Sequence, residues 1–324
     1  MNQSPWVLVT GGAGYVGSVV VDELLQRGNN VRVIDSLIHG NVSSLLLPWS
    51  NPRFQFIRAD IRNAKARRAA LADAASVVHL AGIVGDPACA RQPEDARAVN
   101  LDATLALLRD SKLGGIERFI FASTCSNYGK VAHESFATED SALRPVSLYA
   151  ETKVGAEEAL RGVDGSVATC CLRFATVFGT SPRMRFDLTV NEFTRDVALT
   201  GGLVVYGEQF WRPYVHVRDA ARAIALALEA PTGVVNGAVF NVGDDGQNYR
   251  KLDITDLLRE RFPAAAIQFV HKDEDPRDYR VSFQRVRKHL AFRAEHRVAD
   301  GIDEVVALLD SGLLGDPYAA IYKN

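Results

Sequence analysis

Short apolar runs alternate with stretches of helical periodicity along the first half of the chain. The apolar runs are rich in Val, Ile and Phe and predict strands at residues 7–10, 30–34, 54–58, 76–82, 117–122 and 167–174. Apolar residues at helical spacing between them predict helices over residues 18–27, 64–74, 94–112 and 145–161. Because such alternation is typical of a parallel sheet with helices on both faces, the pattern predicts an α/β fold of the doubly wound Rossmann class.

The regular pattern breaks after Phe178, where glycine, polar residues and proline follow one another at residues 179–182. Beyond this point we predict a helix over residues 188–199, strands at 203–206 and 214–217, and a helix over 219–230. We therefore expect a Rossmann domain at residues 1–178, to which residues 213–243 return. Residues 179–212 and 244–324 are expected to form a smaller C-terminal α/β lobe that binds the substrate.

A glycine turn joins the first predicted strand to the first predicted helix. Gly11, Gly14 and Gly17 have the spacing G-x-x-G-x-x-G, which leaves the backbone bare where a pyrophosphate can approach a helix N-terminus. Asp35 ends the second predicted strand, close to the ~20-residue distance that is typical of the acidic residue binding the adenosine ribose. Its carboxylate would repel a 2′-phosphate, and the next two residues offer no cation to bind one. The motif therefore predicts binding of NAD rather than NADP.

Charge and composition exclude several classes of function. The net charge of -2 provides no general attraction to nucleic acid or to anionic lipid, and no apolar run approaches the ~20 residues that span a bilayer. The four cysteines lack the spacing of a zinc site, so we expect reduced thiols in the core and no metal. Residues 1–6 carry no basic leader. We therefore expect a soluble cytoplasmic protein without a nucleic-acid or membrane partner.

A tyrosine and a lysine stand about one turn apart in the helix predicted at residues 145–161. Tyr149 and Lys153 are four positions apart, which puts both side chains on one helix face and within reach of one site. A free tyrosine has a pKa of about 10, so a phenolate base near pH 7 requires about 4 kcal/mol of additional stabilisation. The ammonium group of Lys153 and the positive ring of a nicotinamide can provide this stabilisation. The pair therefore predicts a proton-transfer site beside the dinucleotide.

These motifs together resemble the extended short-chain dehydrogenase/reductase superfamily, in its nucleotide-sugar epimerase and dehydratase group. The resemblance extends over nearly the whole chain and includes Ser-Thr-Cys-Ser-Asn-Tyr-Gly at residues 123–129, which is similar to the group's Ser-Ser/Thr-x-x-Val-Tyr-Gly motif. It implies that Tyr149 takes the proton of a sugar hydroxyl while hydride passes to NAD. It also implies that Thr124 hydrogen-bonds the same oxygen and that Lys153 holds the nicotinamide ribose.

The same resemblance assigns further residues to the cofactor and to the substrate. It implies that NAD contacts the glycine motif and residues near the strand ends: Gly11, Gly14, Tyr15, Val16, Gly17, Asp35, Asp60, Ile61, Leu80, Ala81, Gly82, Asn100, Tyr149, Lys153 and Phe174. It implies that a nucleoside-diphosphate sugar contacts Thr124, Thr176, Arg185, Asn191, Arg212 and Arg277. Of these, Arg212 and Arg277 would chelate the diphosphate, because a guanidinium group can bind it with two parallel hydrogen bonds.

Departures from the group's pattern bear on the reaction. A 4,6-dehydratase of this group carries Asp-Glu directly after the catalytic Thr, whereas this chain has Cys125 and Ser126, so ordinary 4,6-dehydration is disfavoured. A cysteine at position 125 is more often a packing residue, but it is also a candidate catalytic acid or base at C5, which leaves C5 epimerisation or an unusual elimination open. Asn127 replaces the usual Val and Thr176 the frequent Asn, and either change can reshape the sugar pocket. The motifs alone therefore leave the reaction at the sugar open.

The favoured hypothesis is an NAD-dependent nucleotide-sugar epimerase that acts at C4 through a transient keto sugar. A ketoreductase or an atypical dehydratase on the same class of substrate is the second hypothesis, and a non-catalytic NAD-binding sensor is the third. The presence of Thr124, Tyr149 and Lys153 together argues against the sensor. The resemblance further implies a homodimer whose interface is formed by the helices predicted at residues 94–112 and 145–161.

Overall fold

The computed structural model of the protein describes residues 5–40, 42–132, 135–275 and 277–324. Residues 1–4, part of the N-terminal stretch considered above, lie outside the described residues. The strands are β1 (Trp6–Thr10), β2 (Asn30–Asp35), β3 (Phe54–Arg58), β4 (Ala74–His79), β5 (Arg118–Thr124), β6 (Phe136–Ala137), β7 (Ala168–Phe174), β8 (Thr176–Phe178), β9 (Gly202–Tyr206), β10 (Trp211–His216), β11 (Ala238–Val242), β12 (Asn248–Arg250), β13 (Ala266–Val270) and β14 (Arg280–Val281).

The α-helices are α1 (Tyr15–Gln26), α2 (Ser43–Leu46), α3 (Ala64–Leu71), α4 (Asp86–Arg91), α5 (Pro93–Arg97), α6 (Ala103–Leu113), α7 (Leu148–Arg161), α8 (Thr189–Thr200), α9 (Val217–Glu229), α10 (Thr232–Val235), α11 (Lys251–Arg261), α12 (Gln284–Leu290) and α13 (Val298–Asp310). The helix predicted over residues 94–112 is divided, because a π-helical turn at Ala98–Asp102 separates α5 from α6. None of the described helices has both the length and the apolar character needed to cross a bilayer.

Seven parallel strands form the central sheet, in the order β11-β7-β5-β4-β1-β2-β3. The chain runs outward from β1 to β3 and then crosses to β4 on the other side of β1, which is the doubly wound order. All six strands predicted in the first half of the sequence lie in this sheet, as β1 to β5 and β7. The predicted Rossmann class is therefore confirmed.

Helices cover both faces of the central sheet. Val9 of β1 packs in one apolar cluster with Val20 of α1 and Ile224 of α9. Its neighbour Leu8 belongs to a second cluster with Leu107 of α6. Because successive side chains of a strand point to opposite faces, the two clusters form the two hydrophobic layers that enclose the sheet.

The four cysteines are free and buried, as predicted.

Smaller sheets follow in the C-terminal part of the chain. Strands β8, β10 and β12 form a three-stranded sheet, and β9 pairs with β13. A separate apolar cluster there includes Phe178, Phe193, Tyr214, Ile254 and Ile302. Strand β11 pairs with β7 and so lies in the central sheet, whereas β8 pairs with β10. The domain boundaries drawn from the sequence stay a prediction.

Candidate active site

The glycine turn between β1 and α1 has the geometry of a phosphate-binding site. Gly11 has a φ of 73°, and a Cβ atom there would lie 2.7 Å from the backbone nitrogen of Ala81. A Cβ atom at Gly17 would lie 2.1 Å from the carbonyl oxygen of Gly11, so α1 packs directly on the end of β1. Gly14 is the N-cap of α1, and no side chain of the described residues caps this helix. Its first amides are therefore free to bind the pyrophosphate of a dinucleotide.

Asp35, the last residue of β2, lies beside this turn. Its Oδ2 accepts a hydrogen bond from the backbone N–H of Ala13 at 3.0 Å, and its Oδ1 accepts one from the N–H of Leu37 at 2.8 Å. Burial raises the pKa of the Asp35 carboxyl group, while these two backbone groups favour its ionised form. Each oxygen keeps a second lone pair, which is the acceptor that a ribose hydroxyl requires. The acidic residue thus fits the nucleoside end of NAD.

A cleft of about 220 Å³ follows the carboxyl ends of the central strands. It lies at the point where the strand order reverses between β1 and β4, where doubly wound folds bind ligands. Most of the predicted cofactor residues line it: Gly11, Gly14, Tyr15, Val16, Gly17, Asp35, Asp60, Ile61, Leu80, Ala81 and Gly82. The remaining four lie outside its lining: Asn100, Tyr149, Lys153 and Phe174.

Two of the predicted cofactor residues use their polar groups within the protein. Asp60 forms an ion pair with Arg62 at 2.8 Å. The hydrogen bonds that Arg62 donates in this pair hold the pKa of the Asp60 carboxyl group below its usual range. Asn100 lies in the π-helical turn, where its Oδ1 accepts from the N–H of Ile83 at 2.7 Å and its Nδ2 donates to the carbonyl oxygen of Ile83 at 2.9 Å. Asn100 therefore fixes the turn after β4 that carries the cleft-lining residues Leu80–Gly82.

Lys153 connects the helix that carries Tyr149 to β5, the strand that ends at Thr124. Lys153 Nζ donates to the carbonyl oxygen of Ala122 in β5 at 2.8 Å and lies 5.9 Å from the centre of the Tyr149 ring. Burial lowers the pKa of Lys153 to about 8 and raises the pKa of Tyr149 above its ordinary value. The protein by itself thus keeps the phenol protonated near pH 7. Thr124 Oγ1 accepts from the N–H of Ser126 at 3.1 Å, which leaves its own proton free to donate.

The residues after Thr124 turn into the core. The thiol of Cys125 donates to the carbonyl oxygen of Arg173 at 3.2 Å, and burial raises the pKa of this thiol well above its ordinary value. This environment does not support the acid–base role considered for Cys125. Asn127 is fully buried, and its amide donates to Glu157 Oε1 at 3.0 Å. Asn127 therefore belongs to the core beneath the site rather than to a wall of the sugar pocket.

A buried ion pair that sequence analysis missed supports this region. Arg173 of β7 and Glu157 of α7 are each 2% exposed in their side chains and lie 2.6 Å apart. Ser123 of β5 donates a hydrogen bond to Glu157, and Arg173 donates to the hydroxyl oxygen of Tyr128 at 2.9 Å. The network joins β5, β7 and α7 directly below the catalytic candidates. The residue types gave no indication of it, because the two charges are adjacent only in the folded chain.

The two arginines predicted to bind a diphosphate lie at a common acidic residue. Arg212 of β10 forms an ion pair with Asp275 at 2.8 Å. Arg277 lies 3.7 Å from Asp275 and forms a shorter ion pair, of 2.8 Å, with Asp86. The structure therefore brings Arg212 and Arg277 together, and it places Asp86 of α4 against Arg277.

The other predicted substrate residues lie elsewhere. Arg185 lines the cofactor cleft and donates two hydrogen bonds to Asp187, at 2.9 and 2.8 Å. Asn191 is fully buried and binds the backbone of Gly179 at 3.0 Å and of Arg185 at 2.9 Å. Thr176 lies in β8, opposite Tyr214 of β10. Asn191 thus holds the loop before α8 in place.

Asp86 was missed because its sequence context indicates only a helix start. It is the first residue of α4 and precedes a proline, which is a common pattern at helix N-termini. In the structure, the hydroxyl of Ser147 donates to Asp86 Oδ1 at 2.7 Å. No spacing in the sequence relates Asp86, Ser147 and Arg277, so only the fold identifies this carboxylate as part of the site.

Among the described residues, His216, His296 and Glu304 form a group whose ligand atoms lie within 4.8 Å of one another, as in a metal site. Both ring nitrogens of the central residue, His216, already have hydrogen-bond partners within the protein. His216 Nδ1 accepts from the N–H of Arg218 at 3.3 Å, which leaves the ring proton on Nε2, 3.0 Å from Glu304 Oε2. A metal at Nε2 requires the opposite tautomer. We therefore interpret the group as a hydrogen-bonded link between β10 and α13.

Comparisons with known proteins agree with this geometry. A family model described as the NAD dependent epimerase/dehydratase family matches residues 7–243. The chain is 31% identical to a dTDP-glucose 4,6-dehydratase of Actinoplanes sp., over 93% of this chain and 96% of that protein. It is 26% identical to a UDP-glucose 4-epimerase of Lactobacillus helveticus, over 93% of this chain and 94% of that protein. The fold is similar to a crystal structure of a dTDP-glucose 4,6-dehydratase from Streptomyces venezuelae with NAD bound, with a TM-score of 0.84. The two sequences are 27% identical, and the match covers 94% of this chain and 97% of that one.

Proposed function

Because the chain belongs to the NAD-dependent epimerase/dehydratase family, we propose that it is an epimerase that inverts C4 of a nucleoside-diphosphate sugar. The family and the cofactor are those that the sequence predicted. The family includes nucleotide-sugar epimerases, dehydratases and decarboxylases that use NAD. The choice among these reactions rests on the residues around Thr124.

The residues proposed to hold NAD are the glycine turn, Asp35 and the strand ends that line the cleft. The free amides of α1 take the pyrophosphate, and Asp35 takes the adenosine ribose. When bound, NAD supplies a group that accepts hydride from the sugar and can return it. Lys153, which lies 5.9 Å from the centre of the Tyr149 ring, holds the nicotinamide ribose.

Tyr149 is the proposed proton acceptor. Oxidation at C4 removes hydride from carbon and a proton from the 4-hydroxyl oxygen, which leaves a ketone. Tyr149 takes that proton, and Thr124 donates a hydrogen bond to the same oxygen. Because the protein alone keeps the phenol protonated, the phenolate would need the positive charge of the nicotinamide ring in addition to that of Lys153. When hydride returns to the opposite face of the ketone and Tyr149 gives back the proton, C4 is inverted and nothing is consumed.

The observation that carries the epimerase proposal is the environment of residues 125 and 126. Loss of water across C5 and C6 needs a base for the C5 proton and an acid for the leaving hydroxyl. The thiol of Cys125 is buried, and burial keeps its pKa well above the ordinary value. The hydroxyl of Ser126 lies 3.4 Å from that of Tyr279, and neither group is an acid of carboxyl strength. Residues 125 and 126 therefore do not supply this acid–base pair, which favours oxidation and reduction at C4 by Tyr149 and Thr124 over loss of water.

Arg212 and Arg277 are proposed to bind the diphosphate of the substrate. They share Asp275 as a neighbour, so their guanidinium groups lie on one small surface. Two such groups can chelate a diphosphate through charge-assisted hydrogen bonds. The diphosphate would replace the carboxylates that accept hydrogen bonds from these two guanidinium groups.

Product analysis tests this proposal. Purified protein is incubated separately with UDP-glucose, UDP-glucuronic acid and dTDP-glucose, and the products are identified by NMR and mass spectrometry. We expect one of these sugars to be converted to its 4-epimer of unchanged mass, without consumption of added NAD. Loss of water would identify a dehydratase, loss of carbon dioxide a decarboxylase, and net oxidation or reduction of free cofactor a ketoreductase. The Tyr149→Phe variant is the control for contaminating enzymes.

We further propose that the protein is a cytoplasmic homodimer. Leu105 of α6 and Val146, next to α7, are apolar and 38% and 45% exposed, which suits helices that pack against a second copy. Light scattering at micromolar concentration is expected to give the mass of a dimer, and Leu105→Lys is expected to weaken it. A monomeric wild-type protein would contradict the proposal.

A further inference from the structure

The loop between β8 and α8 is attached to the phosphate-binding end of α1. The hydroxyl of Tyr15 donates to the carbonyl oxygen of Gly179 at 2.7 Å. Ser181 Oγ donates to the carbonyl oxygen of Tyr15 at 2.7 Å and lies 3.0 Å from Ser18 Oγ. Since Tyr15 and Ser18 form the first turn of α1, this loop lies against the helix end that carries the free amides.

Arg183 extends from this loop to the cofactor cleft. It lines the cleft although it is only 2% exposed. Its Nη2 donates to the carbonyl oxygen of Lys323 at 3.1 Å, but its buried Nε has no hydrogen-bond partner among the described residues. Burying a donor without an acceptor is unfavourable, because the donor loses its hydrogen bond to water. The side chain is thus built into the wall of the cleft and keeps an unused donor.

The charge of Arg183 is also without a direct partner. Arg185, two residues further on, is neutralised by a two-bond contact with Asp187, whereas none of the described carboxylates forms an ion pair with Arg183. Burial and the neighbouring Arg185 lower the pKa of Arg183 to about 10. Burial and the same two arginines lower the pKa of His39, another residue of the cleft, to about 4. This end of the cleft therefore favours an added anion.

We propose that Arg183 binds the pyrophosphate of NAD from the wall of the cleft. The amides of α1 then bind one side of the pyrophosphate, and the guanidinium of Arg183 binds the other. Asp35, whose charge attracts Arg183 at longer range, remains the partner of the ribose hydroxyls. The cofactor would thereby connect α1 to the loop before α8, which also carries the predicted substrate residue Arg185.

Calorimetric titration of nucleotide-free protein tests the proposal, with NAD, ADP and adenosine as probes. We expect Arg183→Met to lower the affinity for NAD and for ADP about 10- to 100-fold. The affinity for adenosine should stay unchanged, because adenosine lacks phosphate. Arg183→Lys keeps a positive charge and is expected to recover part of the loss. Arg68→Met, which removes an exposed arginine outside the cleft, is the matched control.

The same variants give a second readout that is independent of turnover. The NAD content of the protein as purified is expected to fall in Arg183→Met and to be unchanged in Arg68→Met. The thermal midpoint of nucleotide-free Arg183→Met is expected to equal or exceed that of wild type, because the substitution removes a buried charge that has no ion-pair partner. NAD affinity within twofold of wild type, or an equal loss for adenosine, would overturn the proposal.

Discussion

Arg277 Nη1 lies 2.8 Å from Asp86 Oδ2, so a guanidinium from the C-terminal part of the chain pairs with a carboxylate at the start of α4. The other oxygen of Asp86 accepts from the hydroxyl of Ser147 at 2.7 Å, two residues before Tyr149. Arg212 pairs with Asp275 at the same distance of 2.8 Å. Each arginine that we propose as a diphosphate ligand therefore has a carboxylate partner that the diphosphate must replace.

Removal of either arginine tests the substrate class. Arg212→Ala and Arg277→Ala should each eliminate charge-assisted hydrogen bonds worth about 1.5–3 kcal/mol, which corresponds to a 10- to 100-fold weaker affinity for UDP. NAD affinity should not change, because the glycine turn binds the cofactor's pyrophosphate. Calorimetry with UDP and with NAD measures both. Equal UDP affinity in wild type and both variants would contradict diphosphate binding at this surface.

Neutralising Asp86 should have the opposite effect. Asp86→Asn keeps the size of the side chain but weakens its hold on Arg277, so the arginine becomes easier to transfer to a diphosphate. We expect UDP to bind severalfold more tightly, with NAD affinity unchanged. Asp256→Asn, which removes a carboxylate paired with Arg259 on the surface of α11, is the control. UDP affinity that falls or stays constant in Asp86→Asn would show that Asp86 does not compete with the substrate.

The central sheet could be predicted because its strands are buried on both faces. β7 is buried at every position and therefore reads as a continuous apolar run. The later elements were harder to detect because they are short or highly charged. β13 has only five residues, and six of the eleven residues of α11 are charged. The π-helical turn at Ala98–Asp102 preserves helical spacing on either side, which concealed the break.

The candidate site could be predicted where local motifs carry it. Glycine spacing, the acid after β2 and the Tyr-Lys pair are short-range patterns with a physical reason for each position. Asp86 and Glu157 act through contacts with residues distant in the sequence, so spacing could not identify them. The direction of a side chain was equally inaccessible, and Asn127, expected to influence the sugar pocket, points into the core.

The shifted pKa of Lys153 predicts a pH dependence of stability. Burial lowers this pKa from 10.5 to about 8 in the folded protein. Between these pH values the unfolded chain binds a proton that the folded chain does not, so the lysine's contribution to the free energy of unfolding rises with pH. From pH 8 to 10.5, nucleotide-free wild type should gain about 3 kcal/mol relative to Lys153→Met. Urea unfolding at several pH values measures this difference in the free energy of unfolding, and a difference that does not change with pH would contradict the lowered pKa of Lys153.

The ion pair between Glu157 and Arg173 should matter for stability more than for binding. Glu157→Gln leaves a buried guanidinium without its counter-charge, which should cost about 3–5 kcal/mol in the free energy of unfolding. Glu23→Gln removes a carboxylate from a surface pair with Arg27 and should cost less than about 1 kcal/mol. Urea unfolding of the two variants compares them. Similar losses in both would mean that the buried network does not support the site.

Substitution of Tyr149 tests the central claim most directly, because it removes the proposed proton acceptor and retains the ring. In Tyr149→Phe, turnover of the nucleotide sugar that wild type accepts should fall by about 10²- to 10⁴-fold, while the affinities for NAD and UDP stay at the wild-type level. Thr124→Ala should lose less, about 0.5–1.5 kcal/mol of transition-state stabilisation, because it removes one hydrogen bond. The decisive measurement is therefore turnover of Tyr149→Phe at saturating nucleotide sugar. A rate reduced at least 100-fold, with cofactor still bound, is the predicted result, and a rate close to that of wild type would contradict the account.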